Sequence, residues 1–561
     1  MKIFLAQQNY HIGNFEQNVS IIIDAIQTAK QQGGDLIVFS ELSICGYPPM
    51  DLLEFDSFIN KCYTAIDTIK QYADSIGVLI GSPSKNDTNK GKKLFNTAFL
   101  LYEKEIKAAV HKTLLPTYDV FDEYRHFEPA YQWNVITFKG KKLAVTICED
   151  IWNITDTPLY RLSPMDELIK QQPDLIINIS ASPFDYTHIE DRKAIIKANV
   201  LKYKLPLLYC NAVGCQTEIV FDGSSLVFDK NANLIKELPA FKESLEHIVI
   251  NNDGTLQSSI TTFANTIADK ELIPTTFDEN LNIKHIHDAL IMGIKDYFSK
   301  MKFTKAIVGS SGGIDSAVVL ALACEALGAE NVHAVLMPSL YSTEHSVNDA
   351  VQLSKNLNNT YDIININNIY ESFLQSLKPV FKDLPFSLAE ENIQSRTRGN
   401  LLMAISNKLG YILLNTSNKS ELAVGYGTLY GDMAGGLSIL GDCYKLQVYA
   451  LANYINKDKE IISTNILTKP PSAELRPNQK DSDSLPDYTI LDKILYQYIE
   501  MNVAASEIKA LGFDNDLVDK TLKLVNINEY KRHQFCPIIR ISPKAFGVGR
   551  KMPIVAKYGL L

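Results

Sequence analysis

Glu41, Lys112 and Cys148 each stand just past or near the end of a short apolar run: DLIVFS, AAVH and LAVTI. A thiol at a strand end can sit on a tight turn, exposed at the rim of a sheet. A nearby ammonium favours its thiolate, and a carboxylate can take its proton, which gives an activated sulfur nucleophile. The backbone N–H after the cysteine, with the lysine, can hold a tetrahedral oxyanion. Spacing alone does not establish this, because a free cysteine is usually a small buried hydrophobe. A second group is contiguous. Residues 305–320 read KAIVGSSGGIDSAVVL: an apolar strand, a glycine–serine turn and the first turns of a helix. Gly309, Ser310, Ser311, Gly312, Gly313, Ile314, Asp315 and Ser316 make a cradle where backbone N–H groups crowd an anion with no Cβ in the way. The helix that begins near Asp315 adds the positive end of its dipole. No Gly-Lys-Ser/Thr follows these glycines, which argues against simple γ-phosphoryl transfer.

These residues need two scaffolds. From Met1 to about Ala264 many short strand-like runs alternate with helical patterns such as Val19–Gln31 and Arg192–Lys204, which predicts an α/β sandwich with buried sheets. Residues 265–280 are polar and contain a proline, and read as a linker between a domain at 1–264 and another at 281–561. The second domain alternates helix 284–301, strand 306–309, helix 315–327, strand 332–337, helix 343–356 and strand 361–366. That order predicts a doubly wound, Rossmann-like parallel sheet, with the phosphate loop at the C-terminal end of its first strand. The Pro- and charge-rich stretch 468–487 reads as a loop.

The chain of 561 residues is too long for one ordinary core. Its formal charge of −9 argues against non-specific nucleic-acid binding, although a local nest can still hold phosphates. Met1–Tyr10 lacks the apolar core of a signal peptide, and the longest apolar stretch is too short to span a membrane. Eight cysteines in this length suggest no disulfide framework, so a cytoplasmic location is the expectation. Cys210 and Cys215 lack the partners of a zinc site and read as core packing, and Cys45 as a neighbour of Glu41.

The surroundings sharpen the first group. FSELSICGYPPMDLL, HKTLLPTYDVFDEYRHFEPA and TICEDIW resemble the nitrilase superfamily, closest to its glutamine-amidase branch, over roughly the first 260 residues. The resemblance implies an α-β-β-α sandwich in which Cys148 attacks the amide carbon, Glu41 is the general base and Lys112 stabilises the oxyanion. It implies that Glu123 supports the triad and that Tyr118 and Ser182 contact L-glutamine. His188 lies where relatives usually carry a basic residue.

In the second half, hydroxyls of MPSLYSTEHSVNDA suit a helix N-cap, and the helix at 391–407 carries Arg396 and Arg398 near its start. Asp315 and Glu421 can offer magnesium the carboxylate oxygens it needs beside a triphosphate, and Lys445 can neutralise phosphate charge. SGGIDS, MPS-x-YS, ENIQ-x-R-x-RGN, NTSNKSE, YGDMAGG, PPSAEL and YKRHQF…ISPKAFGVGRKMPI, in this order, resemble the NAD synthetase family, an adenine nucleotide alpha hydrolase fold. The resemblance implies that residues 309–316 and Thr416 bind ATP, that Asn392, Glu421, Asp432 and Lys531 contact deamido-NAD, and that Asp315 and Glu421 handle Mg2+. It also implies a homo-oligomer. Lys531 and Arg532 rest on the resemblance alone.

Together the halves imply amidation of deamido-NAD: the carboxylate is adenylated by ATP, and glutamine supplies the ammonia. Other ATP-pyrophosphatase ligases, a hydrolase with a nucleotide-sensing half, and a non-catalytic scaffold are the competing classes. The acidic charge disfavours a tRNA substrate, and two complete sets of reactive side chains disfavour a scaffold.

Overall fold

The computed structural model describes residues 1–558 except 89, 156, 252, 259–275, 478 and 484. The chain divides into two compact units, Met1–Leu272 and Ile273–Leu561. Residues 265–275 of the expected linker lie outside the described residues.

In the first unit the strand residues alternate between two cores, as the period of two requires. Phe4, Ala6 and Ile37 face the helices Phe15–Gln31 and Asp56–Ile69. Ile3, Leu5, Leu36 and Val38 face a second sheet, where Val145, Ile177 and Leu208 meet them. The opposite face of that second sheet, with Ala144, Ile176 and Tyr209, packs under the helices Pro164–Leu168 and His188–Tyr203. Helix, sheet, sheet and helix thus form four layers, the expected sandwich.

The first sheet has seven strands, with Lys2–Gln7 between Ser244–Ile250 and Leu36–Val38, followed by Gly77–Lys85, Leu94–Tyr102 and Glu105–His111. The second has six, with Lys141–Ile147, Leu175–Ser180 and Leu207–Asn211 parallel at its centre. The run LPLLYCNAVG splits: Leu207–Asn211 stays in this sheet, while Val213–Gln216 turns away to pair with Ile219–Asp222. Two helices start earlier than their apolar pattern suggests. Phe15–Gln31 begins four residues before Val19 because the Asn14 side chain caps it, accepting from Gln17 N–H at 3.3 Å.

The second unit holds a five-stranded all-parallel sheet, in the order Thr360–Ile363, Val332–Leu336, Ala306–Gly309, Ile412–Asn415, Leu437–Ser438. Ala306–Gly309 has the next strand in sequence on one side and a much later strand on the other. That reversal opens a crevice beyond its C-terminal end. The following helix, Ile314–Leu327, is apolar on nearly every side and is buried from Ser316 to Cys324. The described residues of 468–487 form a loop, as expected, apart from Thr468, which ends the helix Thr464–Thr468, and one 3-10 turn at Asp481–Asp483. No described helix is long and apolar enough to cross a membrane.

Candidate active sites

In the first unit, residues just past strand ends converge. Lys112 Nζ donates to Glu41 Oε1 and to Glu123 Oε1, each at 2.7 Å, and its side chain is fully enclosed. Glu41 is held further by Asn96 Nδ2 at 2.7 Å and by the Ala181 backbone N–H at 3.0 Å. Tyr47 donates its hydroxyl to Glu123 Oε1 at 2.7 Å. Burial opposes the Lys112 charge, but Glu123 and Glu41 together keep its pKa well above the ordinary lysine value. Burial, with Glu41 nearby, pushes the Glu123 carboxyl up to about 7.

Cys148 opens the 3-10 turn Cys148–Ile151 at the end of Lys141–Ile147, with φ +45. A left-handed conformation at a non-glycine residue is a strained elbow of the kind found at reactive sites. The turn was expected, but exposure at the rim was not met: Cys148 is 4% exposed. Nor does the ammonium win over its surroundings. Burial and the Glu41 charge hold the thiol well above its ordinary pKa, with Lys112 only partly offsetting them. These surroundings favour the protonated thiol over the thiolate in the ligand-free fold.

Tyr118 and Ser182 lie on this side of the unit with different partners. The Tyr118 hydroxyl donates to both oxygens of Glu149, at 3.0 and 2.9 Å. Ser182 Oγ lies 2.9 Å from Nε2 of His188, whose ring stacks on Trp152 with centroids 4.8 Å apart. The sequence pattern had not singled out Glu149, Asn96, Tyr47 or Asp150. Glu149 follows Cys148 directly, is buried, and has its carboxyl pKa raised by that burial.

Among the described residues, which include all eight cysteines, only Cys536 is not buried. Cys210 packs between the sheets and Cys45 beside the first pair of helices, as their bland assignments expected.

In the second unit, the loop after Ala306–Gly309 folds back on itself. Ser316 Oγ donates to Gly313 O at 3.0 Å and accepts from Ser311 N–H at 3.3 Å. Gly312 has φ +78, and a Cβ there would stand 2.1 Å from Ser346 O, so only glycine fits. Asp315, on the first turn of the helix, receives Lys445 Nζ at 2.5 Å and Asn418 Nδ2 at 2.9 Å. Glu421 Oε1 lies 3.6 Å from the same ammonium. Burial and the Asp315 charge push the Glu421 carboxyl up to about 8. Asp481 adds a third carboxylate, bonded by the hydroxyls of Tyr426 and Tyr488, with its pKa raised by burial. Thr416 follows the adjacent strand Ile412–Asn415, at the same crevice.

Of the four residues that the resemblance links to deamido-NAD, Asn392, Asp432 and Lys531 sit around one bend, apart from Glu421. Thr428 Oγ1 donates to Asn392 Oδ1 at 2.8 Å, and Thr428 N–H to Asp432 Oδ1 at 2.5 Å. Lys531 Nζ donates to the carbonyls of Gly425 and Gly427 at 2.7 and 2.9 Å. Arg532 takes a structural place: it bonds the carbonyls of Leu422 and Ala423 near the end of helix Lys419–Val424, and Glu529 at 2.7 Å. Arg396 and Arg398 lie in the third turn of helix Leu388–Leu409 rather than near its start, and bond the carbonyls of Leu429 and Met337. Lys419 is fully enclosed between Glu500 at 2.6 Å and Asp442 at 2.9 Å.

Comparison with known proteins divides the chain in the same way. A carbon–nitrogen hydrolase family model matches residues 2–255, and an NAD synthase family model matches residues 286–535. The glutamine-dependent NAD(+) synthetase of Synechocystis sp. is 43% identical over 564 residues, 99% of each chain. That of Thermotoga maritima is 39% identical, covering 100% of this chain and 99% of its own. The solved structure of the Acinetobacter baumannii glutamine-dependent NAD+ synthetase with ADP is 36% identical, with a TM-score of 0.77 over 100% of this chain and 99% of that one. The Cytophaga hutchinsonii structure, at 19% identity, shares the fold with a TM-score of 0.80 over 99% of this chain and 98% of its own. A hydrolase half, an ATP-using synthase half and full-length identity to curated enzymes agree, and the chain belongs to the glutamine-dependent NAD(+) synthetases, carbon–nitrogen ligases that use ATP and take their nitrogen from glutamine.

Proposed function

We propose that residues 1–264 form the glutamine amidohydrolase, residues 281–561 the synthetase, and 265–280 the link between them. The observation that carries the amidase assignment is the enclosed Lys112 bonded to both Glu41 and Glu123, within electrostatic reach of Cys148. Cys148 attacks the side-chain carboxamide of glutamine while Glu41 takes the thiol proton. Lys112 and the Glu149 N–H hold the oxyanion, and Glu41 returns the proton to the departing ammonia. Water, activated by Glu41, then releases glutamate from the γ-glutamyl thioester. Glu123 and Tyr47 keep Lys112 in place. Tyr118, Ser182 and His188 hold the amino-acid end of glutamine, and Glu149, bonded to Tyr118, belongs with them.

In the synthetase, residues 309–316, Thr416 and Lys445 bind ATP. The nicotinate carboxylate of deamido-NAD, held by Asn392, Glu421, Asp432 and Lys531, attacks the α-phosphorus, and pyrophosphate leaves. Ammonia then displaces AMP and gives NAD. Asp315 and Glu421 would hold Mg2+, since their carboxylate oxygens are the donor type this ion takes and both stand beside the phosphate loop. Bound there, the ion neutralises charge on the phosphates. Among the described residues, the one trio spaced to share an ion without a ligand is Asp51, Glu54 and His126, and Arg125 already pairs with its acids. A cytoplasmic homo-oligomer completes the proposal. With glutamine as the only nitrogen source, NAD, AMP and glutamate should form together and depend on deamido-NAD. Glutamate release with no NAD would overturn it.

A further inference from the structure

Asp150 follows the nucleophile by two residues and is 2% exposed, but it carries no assigned role. Among the described residues its carboxylate forms no ion pair, and Lys112 acts on it only from a distance. Oδ2 accepts the backbone N–H of Ile147 at 3.0 Å, the residue before Cys148. Oδ1 accepts the N–H groups of Thr113 at 3.0 Å and Leu114 at 2.8 Å, the two residues after Lys112. One side chain thus joins the backbone of the nucleophile's elbow to that of the oxyanion-binding lysine. These segments come from different sheets, since Glu105–His111 edges the seven-stranded sheet and Lys141–Ile147 lies in the six-stranded one. Packing fixes the sheet separation only to the precision of side-chain contacts. Three backbone N–H groups converging on one carboxyl group tie the two segments to each other directly.

Each segment is also held by a neighbouring strand of its own sheet. Asn178 Nδ2 reaches Cys148 O at 3.4 Å, and Lys112 N–H donates to Asn96 O at 2.8 Å. Removing the Asp150 carboxylate therefore leaves each strand in its own sheet and releases only their mutual alignment. Asn178 steadies the elbow and Asn96 the lysine strand, but neither reaches across to the other.

We infer that Asp150 is a positioning residue for glutamine hydrolysis, a carboxylate clamp that sets the Cys148 elbow against the Lys112 ammonium. The inference rests on Cys148 being the nucleophile and Lys112 the oxyanion group. Asparagine at this position keeps the shape but turns an N–H donor toward a backbone N–H, so one bond becomes a repulsion.

The test compares the full-length parent with Asp150→Asn. Because misplacement of reacting groups by about 1 Å costs on the order of 100-fold, glutamine-dependent kcat should fall about 10- to 100-fold. The glutamine KM should move less than about 3-fold, because the groups assigned to the amino-acid end are untouched. Alkylation of Cys148 by iodoacetamide, followed by peptide mass, should slow or speed by several-fold as the elbow relaxes. Synthesis from ammonium chloride should persist. Unchanged kcat and alkylation rate in a folded variant overturn the inference, as does an equal loss of ammonia-driven synthesis. Cys148→Ala is the separate control: if it still uses glutamine, the nucleophile assignment fails before the clamp is judged. Hydrogen exchange on the parent decides the matter if the variant does not fold. The amides of Thr113, Leu114 and Ile147 should be protected together, and exchange of the first two at free-loop rates would show that no clamp exists.

Discussion

Lys445 Nζ lies 2.5 Å from Asp315 Oδ2, across 130 residues of sequence, so the ammonium proposed to meet ATP is already held by the phosphate-loop helix. Burial opposes the Lys445 charge, but Asp315 and Glu421 outweigh it and hold its pKa well above the ordinary value. Lys445→Met would leave two carboxylates facing each other without a counter-charge. NAD formation from ammonia should drop about 100-fold or more, with glutaminase activity retained. Parallel assays of NAD and glutamate give the answer, and undiminished NAD formation would remove Lys445 from the synthetase.

Cys148→Ala should end glutamine-dependent NAD formation and spare the ammonia-dependent reaction. Glu41→Gln keeps an acceptor for Lys112 but turns an N–H toward the Ala181 backbone N–H and removes the proposed base, and should lower glutamine kcat by about 100- to 10,000-fold. Steady-state kinetics with each nitrogen source distinguish the two.

Gly312→Ala should cripple the ATP site. Its φ of +78 disfavours any side chain, and the new methyl would meet the Ser346 carbonyl. ATP-dependent synthesis should fall at least about 100-fold, because the cradle must shift away from the phosphates. Normal ATP affinity by calorimetry would contradict the loop's role.

The pH dependence of stability has a definite sign. Glu421 is raised from 4.5 in its ordinary state to about 8 in the fold. A carboxyl whose pKa rises on folding stabilises the native state fully below 4.5, and that stabilisation is lost as pH climbs through about 8. The ligand-free chain should therefore lose melting temperature between about pH 5 and pH 8, and Glu421→Gln should flatten that slope. Equal slopes in calorimetry would reject the argument.

Arg532→Met should act on folding. It removes bonds to the carbonyls of Leu422 and Ala423 and leaves Glu529 with Arg550 as its remaining close cation. A cost of about 1–3 kcal/mol is expected from the buried carbonyls left without a donor, since Arg550 still compensates Glu529. Denaturant unfolding measures it, and a loss below about 1 kcal/mol would show the contacts to be dispensable.

Reactive side chains placed at or just past the ends of apolar runs were readable, because nothing in packing asks for a lysine or glutamate there. Glu41, Lys112 and Cys148 stood out for that reason, and the glycine–serine turn marked its own loop. Strand alternation likewise revealed the sandwich. Asn96 and Tyr47 left no such trace: they reach the site through tertiary pairing, Asn96 from near the start of strand Leu94–Tyr102. Charge type alone did not separate Arg532 from Lys531 either. One meets helix carbonyls in the interior and the other a half-open bend, a difference set by packing.

Lys112, Lys419 and Lys445 are among the largest fully buried side chains of the chain. Reagents that couple to free amines work from the outside inward, so they will consume peripheral lysines and pass these three by. Of the ammonium groups assigned to the two sites, only Lys531 stands partly open. The native chain can therefore be tethered to an amine-reactive support with the amidase ammonium untouched, and with deamido-NAD protecting Lys531 during coupling.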